Sequence, residues 1–192
     1  MVPATGLRDT LLDHAIVMLE AGEAEPGIRA LARAAGVSAM APYRHFADKA
    51  ALLAAVAERG FALFLDALSA ADAEGSDAER LVAQGVAYVD FACAHPALFR
   101  AMFARGAAAP KQPDAPAFAI LTRRVAALVG ADDPTAALGC WAIVHGMATL
   151  ALDGGVTLVP EQVRAVLRTY VAGIVAVMRD CSTPGPSPEG EG

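Results

Sequence analysis

Apolar residues return along this chain at three- and four-residue intervals, the period of one face of an α-helix. Leu7, Leu11, Ala15, Met18 and Leu19 keep that rhythm and predict a first helix over residues 7–21, broken by Gly22–Gly27. A short helix follows from Ile28 to about Ala35, with Leu31 and Ala32 inward, and stops at Gly36. Ser38 is placed to cap a third short helix reaching about Phe46, because a side-chain oxygen there can accept from a free donor of the first turn. Asp48 caps a long fourth helix whose stripe is Leu52, Leu53, Val56, Gly60, Leu63, Phe64 and Ala67.

The rest of the chain is punctuated the same way. After a loop at Asp72–Gly75, Ser76-Asp-Ala-Glu79 is a capping box that opens another helix. His95-Pro96 ends it and starts the next, proline being well placed at a first helical position. Gly106–Pro116, with three prolines, reads as a loop, and residues 117–129 as a helix stopped by Gly130. Asp133-Pro134 begins a further helix that Gly154-Gly155 ends. Pro160 starts a last one, with Val163, Val166, Leu167, Tyr170, Ile174 and Val177 on its apolar side. From Ser182 the Pro, Gly, Ser and Glu tail cannot form a core and is expected to be disordered. No internal repeat and no alternating strand pattern stands out, so the prediction is an all-α chain of about nine helices.

Composition agrees and adds limits. Hydrophobic residues make up 56% and the mean hydropathy is +0.44, much of it alanine, which builds helix but buries little area. At 6%, aromatics are too few for a typical β-sandwich or barrel. The net charge of −6 by itself argues against a nucleic-acid binder. Distribution changes that, because from Gly27 to Lys49 four basic residues (Arg29, Arg33, Arg44, Lys49) face Asp48 alone, a local balance of +3. Such a stretch is compatible with DNA and implies modest non-specific affinity.

Cys93, Cys140 and Cys181 are odd in number and lack paired spacing, which fits a reduced cytoplasmic protein. Cys93-Ala-His95 has no second ligand pair, so no metal site is expected. Arg8, Asp9 and Asp13 interrupt any apolar core of a signal peptide, and none is expected. Pro134–Leu152 is 19 residues without Asp, Glu, Lys or Arg, close to the length of a membrane span. Its alanine-sized side chains, His145 and lack of basic flanks favour a helix buried at a protein interface, and no membrane partner is expected.

The informative stretch is Gly27–Lys49. Two short helices meet at Gly36-Val37-Ser38, where glycine can take a backbone conformation other residues avoid. Ala32, Val37 and Phe46 are small or apolar where the pair would pack steeply, leaving Ala39, Met40, Tyr43 and Arg44 outward. A face of that size fits the major groove. Ala-Ala-Gly-Val-Ser (Ala34–Ser38) followed by Tyr-Arg-His-Phe-x-x-Lys-x-x-Leu (Tyr43–Leu52) resembles the signature of the TetR/AcrR family of transcriptional regulators. The resemblance covers about the first 60 residues and implies a helix-turn-helix domain over 1–50, with the start of a connecting helix at 48–70. It implies that Tyr43, His45 and Lys49 hold phosphates, and that Arg29, Ser38 and Ala39 are further contacts. Met40 and Arg44 are the candidates for reading bases. Pro42, inside the expected recognition helix, is a familiar variant in that family, but it unsettles contacts borrowed for Met40 and Ala41.

Further on, Gly139, Ala142 and Gly146 form a small-residue stripe at i, i+3 and i+7, while Trp141 and His145 are one turn apart. Trp141, His145, Gly146, Leu152 and Gly154 resemble the Trp-His-Gly C-terminal domain found behind some TetR-type heads. The resemblance implies a ligand-binding and dimerisation domain over 51–181, followed by the tail 182–192. Its dimer interface would use Gly139, Ala142, Gly146, Val163, Leu167, Tyr170 and Ile174. An apolar pocket is implied at Phe91, Phe99, Met102, Phe103, Phe118, Leu121 and Trp141. The partners expected are double-stranded operator DNA, a second copy of the chain and a small apolar effector, with no cofactor. Two alternatives stay open: a helical carrier or enzyme using His145, Cys140 or Cys93, and an activator of the same architecture.

Overall fold

The computed structural model describes residues 6–22, 27–72, 75–104 and 116–182, with side chains as far as Val177. Apart from Pro116 and Ser182 themselves, the loop expected at Gly106–Pro116 and the tail expected from Ser182 lie outside the described residues. Within these limits the fold is all-α. Its elements are α1 (Leu7–Glu20), α2 (Ile28–Ala34), a 3₁₀ turn (Pro42–Arg44), α3 (Lys49–Ala70), α4 (Asp77–Ala94), α5 (Pro96–Phe103), α6 (Pro116–Val129), α7 (Pro134–Leu152) and α8 (Pro160–Ser182).

Most helix starts are built by the side chains that predict them. Asp48 Oδ1 accepts from the Ala51 amide at 2.7 Å and opens α3. Glu79 Oε2 accepts from the Ser76 amide at 2.8 Å while Ser76 Oγ accepts from the Glu79 amide at 3.3 Å, closing the capping box before α4. Asp133 Oδ1 takes the amides of Thr135 and Ala136, both at 2.9 Å. Pro96, Pro134 and Pro160 are each the first residue of their helix, and so is Pro116, which the expected loop had included. The exception is the helix expected from Ser38 to Phe46, of which only the 3₁₀ turn forms.

The helices gather into two compact units, Met1–Ala67 with Asp90–Ala117, and Leu68–Val89 with Phe118–Gly192. In the first, Leu11, Leu12 and Leu19 of α1, Leu31 of α2, Leu52, Val56 and Phe64 of α3, and Leu98, Phe99 and Met102 of α5 are buried. Each such side chain contributes about 1.5–3 kcal/mol when fully buried. Gly60 lets α5 approach α3: a Cβ there would stand 2.8 Å from Met102 Cγ and 2.9 Å from Leu98 Cδ1. Glu20 at the end of α1 accepts from the Ala97 and Leu98 amides at 3.2 and 2.9 Å. It thereby satisfies donors that His95, the residue before α5, leaves uncapped.

The second unit packs α4, α6, α7 and α8 around Leu81, Val82, Val89, Val125, Val144, Ala148, Val163 and Leu167. Glycine sets the spacing here as well. A Cβ on Gly85 of α4 would meet Leu167 Cδ1 at 2.7 Å and Val144 Cγ1 at 3.3 Å. A Cβ on Gly139 of α7 would collide with the Tyr170 hydroxyl of α8. Arg124 of α6 joins Asp77 at the start of α4 to Asp72, with its Nη2 at 2.6 Å from Asp72 Oδ1.

Because the obstacle at Gly139 is chiefly a hydroxyl, the cost of adding a methyl depends on that one atom. Gly139→Ala is expected to destabilise the fold by about 1–3 kcal/mol, read as a lower urea midpoint. Tyr170→Phe in the same chain is expected to restore most of the loss.

Candidate nucleic-acid interface

Gly36 turns the chain at the end of α2 with φ +67°, a region that favours residues without a Cβ. Its amide donates to the Arg33 carbonyl at 3.1 Å and the Val37 amide to that of Ala32 at 3.0 Å, closing the helix end. Beyond it the backbone bonds tighten from four residues to three. Ala41 donates to Ser38 at 2.9 Å, Arg44 to Ala41 at 3.2 Å and His45 to Pro42 at 2.9 Å. Pro42 has no amide hydrogen to give the Ser38 carbonyl, and its ring would press on that carbonyl in an α-helix. An α-helix therefore cannot start at Ser38, and no side chain caps the 3₁₀ turn. The expected recognition helix is corrected to a bend plus one 3₁₀ turn.

That shorter segment is well anchored. Pro42 and Phe46 are buried, with Phe46 only 2% exposed, together with Leu31 and Ala32 of α2. Val37 is half-buried. All eight residues expected to contact nucleic acid are exposed: Arg29, Ser38, Ala39, Met40, Tyr43, Arg44, His45 and Lys49. Met40, at 67% exposure, stands out furthest among the apolar ones. A large apolar side chain held in water beside cations suits the methyl and edge groups of bases. Lys49 occupies the first residue of α3, where the helix dipole disfavours a cation but welcomes an anion.

One neighbour of this segment was not legible in the motif. Arg8, in the first turn of α1, holds its guanidinium 5.6 Å from the centroid of the Phe46 ring, a cation–π distance. A cation in a helix's first turn works against the dipole, and that was the available signal.

In the second unit the Trp141–His145 pair has a definite partner. Tyr88 of α4 places its hydroxyl 2.8 Å from His145 Nδ1, and the Trp141 ring lies 5.2 Å from that of His145 between centroids. Burial pushes the Tyr88 hydroxyl up and His145 down from their ordinary values, keeping both neutral. Cys140 is buried and its thiol is pushed up to about 11 by that burial, while Cys93 is exposed and also raised. Neither is an activated nucleophile. Among the described residues no three His, Cys, Asp or Glu side chains gather as metal ligands.

The expected pocket residues fall in two places. Phe91, Phe99 and Met102 are buried in the first unit, and Phe103 is half-buried there, 4.7 Å from Phe99 and 5.5 Å from Phe61 between ring centroids. Phe118, Leu121 and Trp141 are half-buried in the second. Of the expected interface set, Val163 and Leu167 are buried within the chain and Gly139 receives Tyr170 of α8. Ala142 is exposed, Tyr170 and Ile174 are half-buried, and a Cβ on Gly146 would meet nothing.

Residues 11–56 match the model of bacterial regulatory proteins of the tetR family, and residues 81–174 that of the tetracyclin repressor-like C-terminal domain. A protein of unknown function from Rhodococcus sp. RHA1 is 36% identical with a TM-score of 0.74, over 90% of this chain and 97% of that one. A TetR family transcription regulator from Marinobacter aquaeolei VT8 shares the fold at 21% identity and TM-score 0.61, over 86% and 93% of the two chains. So does a variant of TetR from Acinetobacter baumannii AYE solved with minocycline, at 20% identity and TM-score 0.62, over 88% and 96%. No curated protein sequence matches.

The lowered His145 makes stability depend on pH. A histidine whose folded value lies below its ordinary one contributes stability that is present above the ordinary value and lost as pH falls through the folded one. Urea unfolding is expected to show declining stability as pH drops below about 6.5, and His145→Gln is expected to remove that part of the slope.

Proposed function

Because the chain belongs to the tetR family of bacterial regulatory proteins, we propose that it is a homodimeric, ligand-responsive repressor of a palindromic operator, acting in the cytoplasm. By role, residues 1–50 are the reading head, with 48–70 leading out of it, and 51–181 the sensing and pairing domain. The observation that carries the reading is the exposed face from Arg29 to Lys49, mounted on buried Pro42 and Phe46. Tyr43, His45, Lys49 and Arg8 clamp phosphates, whereas Met40 and Arg44 face the base edges.

Dimerisation rests on unpaired apolar surface. Pro134–Leu152 is long and apolar enough to cross a membrane by length and composition, and only 22% of it is buried within the chain. A helix apolar on all sides needs a cover. Leu138, Ala142, Gly146 and Leu150 recur every four residues along α7, and Val166, Tyr170, Gly173 and Val177 make a similar stripe on α8. Leu138, Leu150, Val166 and Val177 are 47–61% exposed. Joined to its two-fold mate, this pair of stripes closes a four-helix bundle. Val163, Leu167 and Gly139 serve the packing beneath.

The effector is assigned to the half-buried Phe118, Leu121 and Trp141 of the second unit, while Phe91, Phe99 and Met102 supply core. Binding there would favour a spacing of the two heads that no longer fits the operator, a coupling between two sites through two global states.

Fluorescence anisotropy on DNA from upstream of the chain's own gene tests the DNA reading. Salt-sensitive, sequence-selective binding is expected. Lys49→Ala should weaken all sequences alike and lower the log–log salt slope by about one. Met40→Ala and Arg44→Ala should relax sequence preference, each by about 1–3 kcal/mol. Absence of selective binding by the folded chain refutes the proposal. For the interface, Leu138→Asp with Val166→Asp is expected to yield a folded monomer in analytical ultracentrifugation.

A further inference from the structure

An open groove of about 410 Å³ runs between the start of α4 and α8 in the second unit. Its apolar wall includes Val82, Val171 and Val175, and two guanidinium groups, Arg164 and Arg168, stand beside it. The volume lies in the range of small-molecule sites, which pair apolar walls with a few polar groups. We propose that this groove binds a small amphipathic carboxylate, its anionic head held by Arg164 and Arg168 and its hydrocarbon body laid along Val82, Val171 and Val175.

Charge carries the choice of ligand. Arg164 and Arg168 are four residues apart on one exposed helix face, a spacing at which like charges repel. The one carboxylate in the groove, Glu79, has Oε2 engaged by the Ser76 amide and hydroxyl at 2.8 and 2.7 Å. Arg168 helps hold Glu79 in its charged form. Arg164 makes no ion pair among the described residues. The groove therefore keeps a net positive charge of +1 in a protein whose total is −6. An anion placed between the two guanidinium groups relieves their repulsion and can take charge-assisted hydrogen bonds from both.

Position on the helix leaves the groove open. At about 100° per residue, Arg164, Arg168 and Ala172 lie roughly opposite Val166, Gly173 and Val177, the stripe assigned to the second copy. Ligand and partner can thus occupy α8 together. The inference depends only on the second unit and stands whether or not the chain binds DNA.

Octanoate, with 1-octanol as its uncharged counterpart, probes the site by calorimetry on the full chain without DNA. Octanoate is expected to bind saturably at one per chain, and 1-octanol at least tenfold more weakly. Arg164→Met is expected to weaken octanoate at least tenfold, Arg168→Met by less because it is shared with Glu79, and Val175→Trp to abolish binding by filling the groove. Circular dichroism on each variant confirms the fold. No saturable binding, equal affinity for the alcohol, or undiminished affinity in the folded Arg164→Met, Arg168→Met double variant overturns the proposal. Operator binding by the same variants is measured separately, without octanoate, so a failure here is distinct from a failure of the DNA reading.

Discussion

Close approach of helices is the constraint on which this fold depends. An alanine-rich chain with 6% aromatic residues has short side chains to interpose, so its helices must lie near each other to exclude water. Glycine permits it at one crossing in the first unit and at two in the second. Gly60 admits Leu98 and Met102, Gly85 admits Leu167 and Val144, and Gly139 admits Tyr170. Of the side chains that fill these gaps, Leu98, Met102, Val144 and Leu167 are buried in the chain's own interior, while Tyr170 is half-buried. With Leu167 turned to the core, Leu138, Leu150, Val166 and Val177 remain as open apolar surface.

Helix ends were legible in the sequence because their chemistry is local. Asp48, Ser76 with Glu79, and Asp133 each bond an amide two or three residues away. The recognition segment was legible in its exposed residues but not in its backbone. A capping serine at 38 and a proline at 42 make opposite demands on the same carbonyl, and periodicity does not weigh them. Contacts between distant residues were beyond reach. Nothing in the pattern around Tyr88 says that its hydroxyl ends on His145, or that Arg8 lies over Phe46. The small-residue stripe was legible as a place of close approach. Which neighbour fills it was not, since glycine admits a helix of the same chain as readily as one from a second copy.

The same local-versus-distant contrast explains how an acidic protein carries a locally basic face. Its net −6 comes from carboxylates spread over the whole chain, while Gly27–Lys49 keeps four cations against one anion. With a screening length near 8–10 Å in physiological salt, a phosphate at the turn is governed by Arg44, His45 and Lys49 more than by distant acids. The modest total field limits non-specific attraction.

Helix α8 joins the separate demands of the second unit in one element. Val163, Leu167 and Val171 face its core, Val166, Gly173 and Val177 form an open apolar stripe, and Arg164 and Arg168 border the groove. On the core side, Gly85 lets Leu167 of α8 and Val144 of α7 both approach α4 closely. A Cβ at Gly85 would press on the end of the Leu167 side chain, 2.7 Å away, and on Val144 Cγ1 at 3.3 Å. Leu167 is thus the side chain on which the close approach of α4 and α8 at this crossing depends.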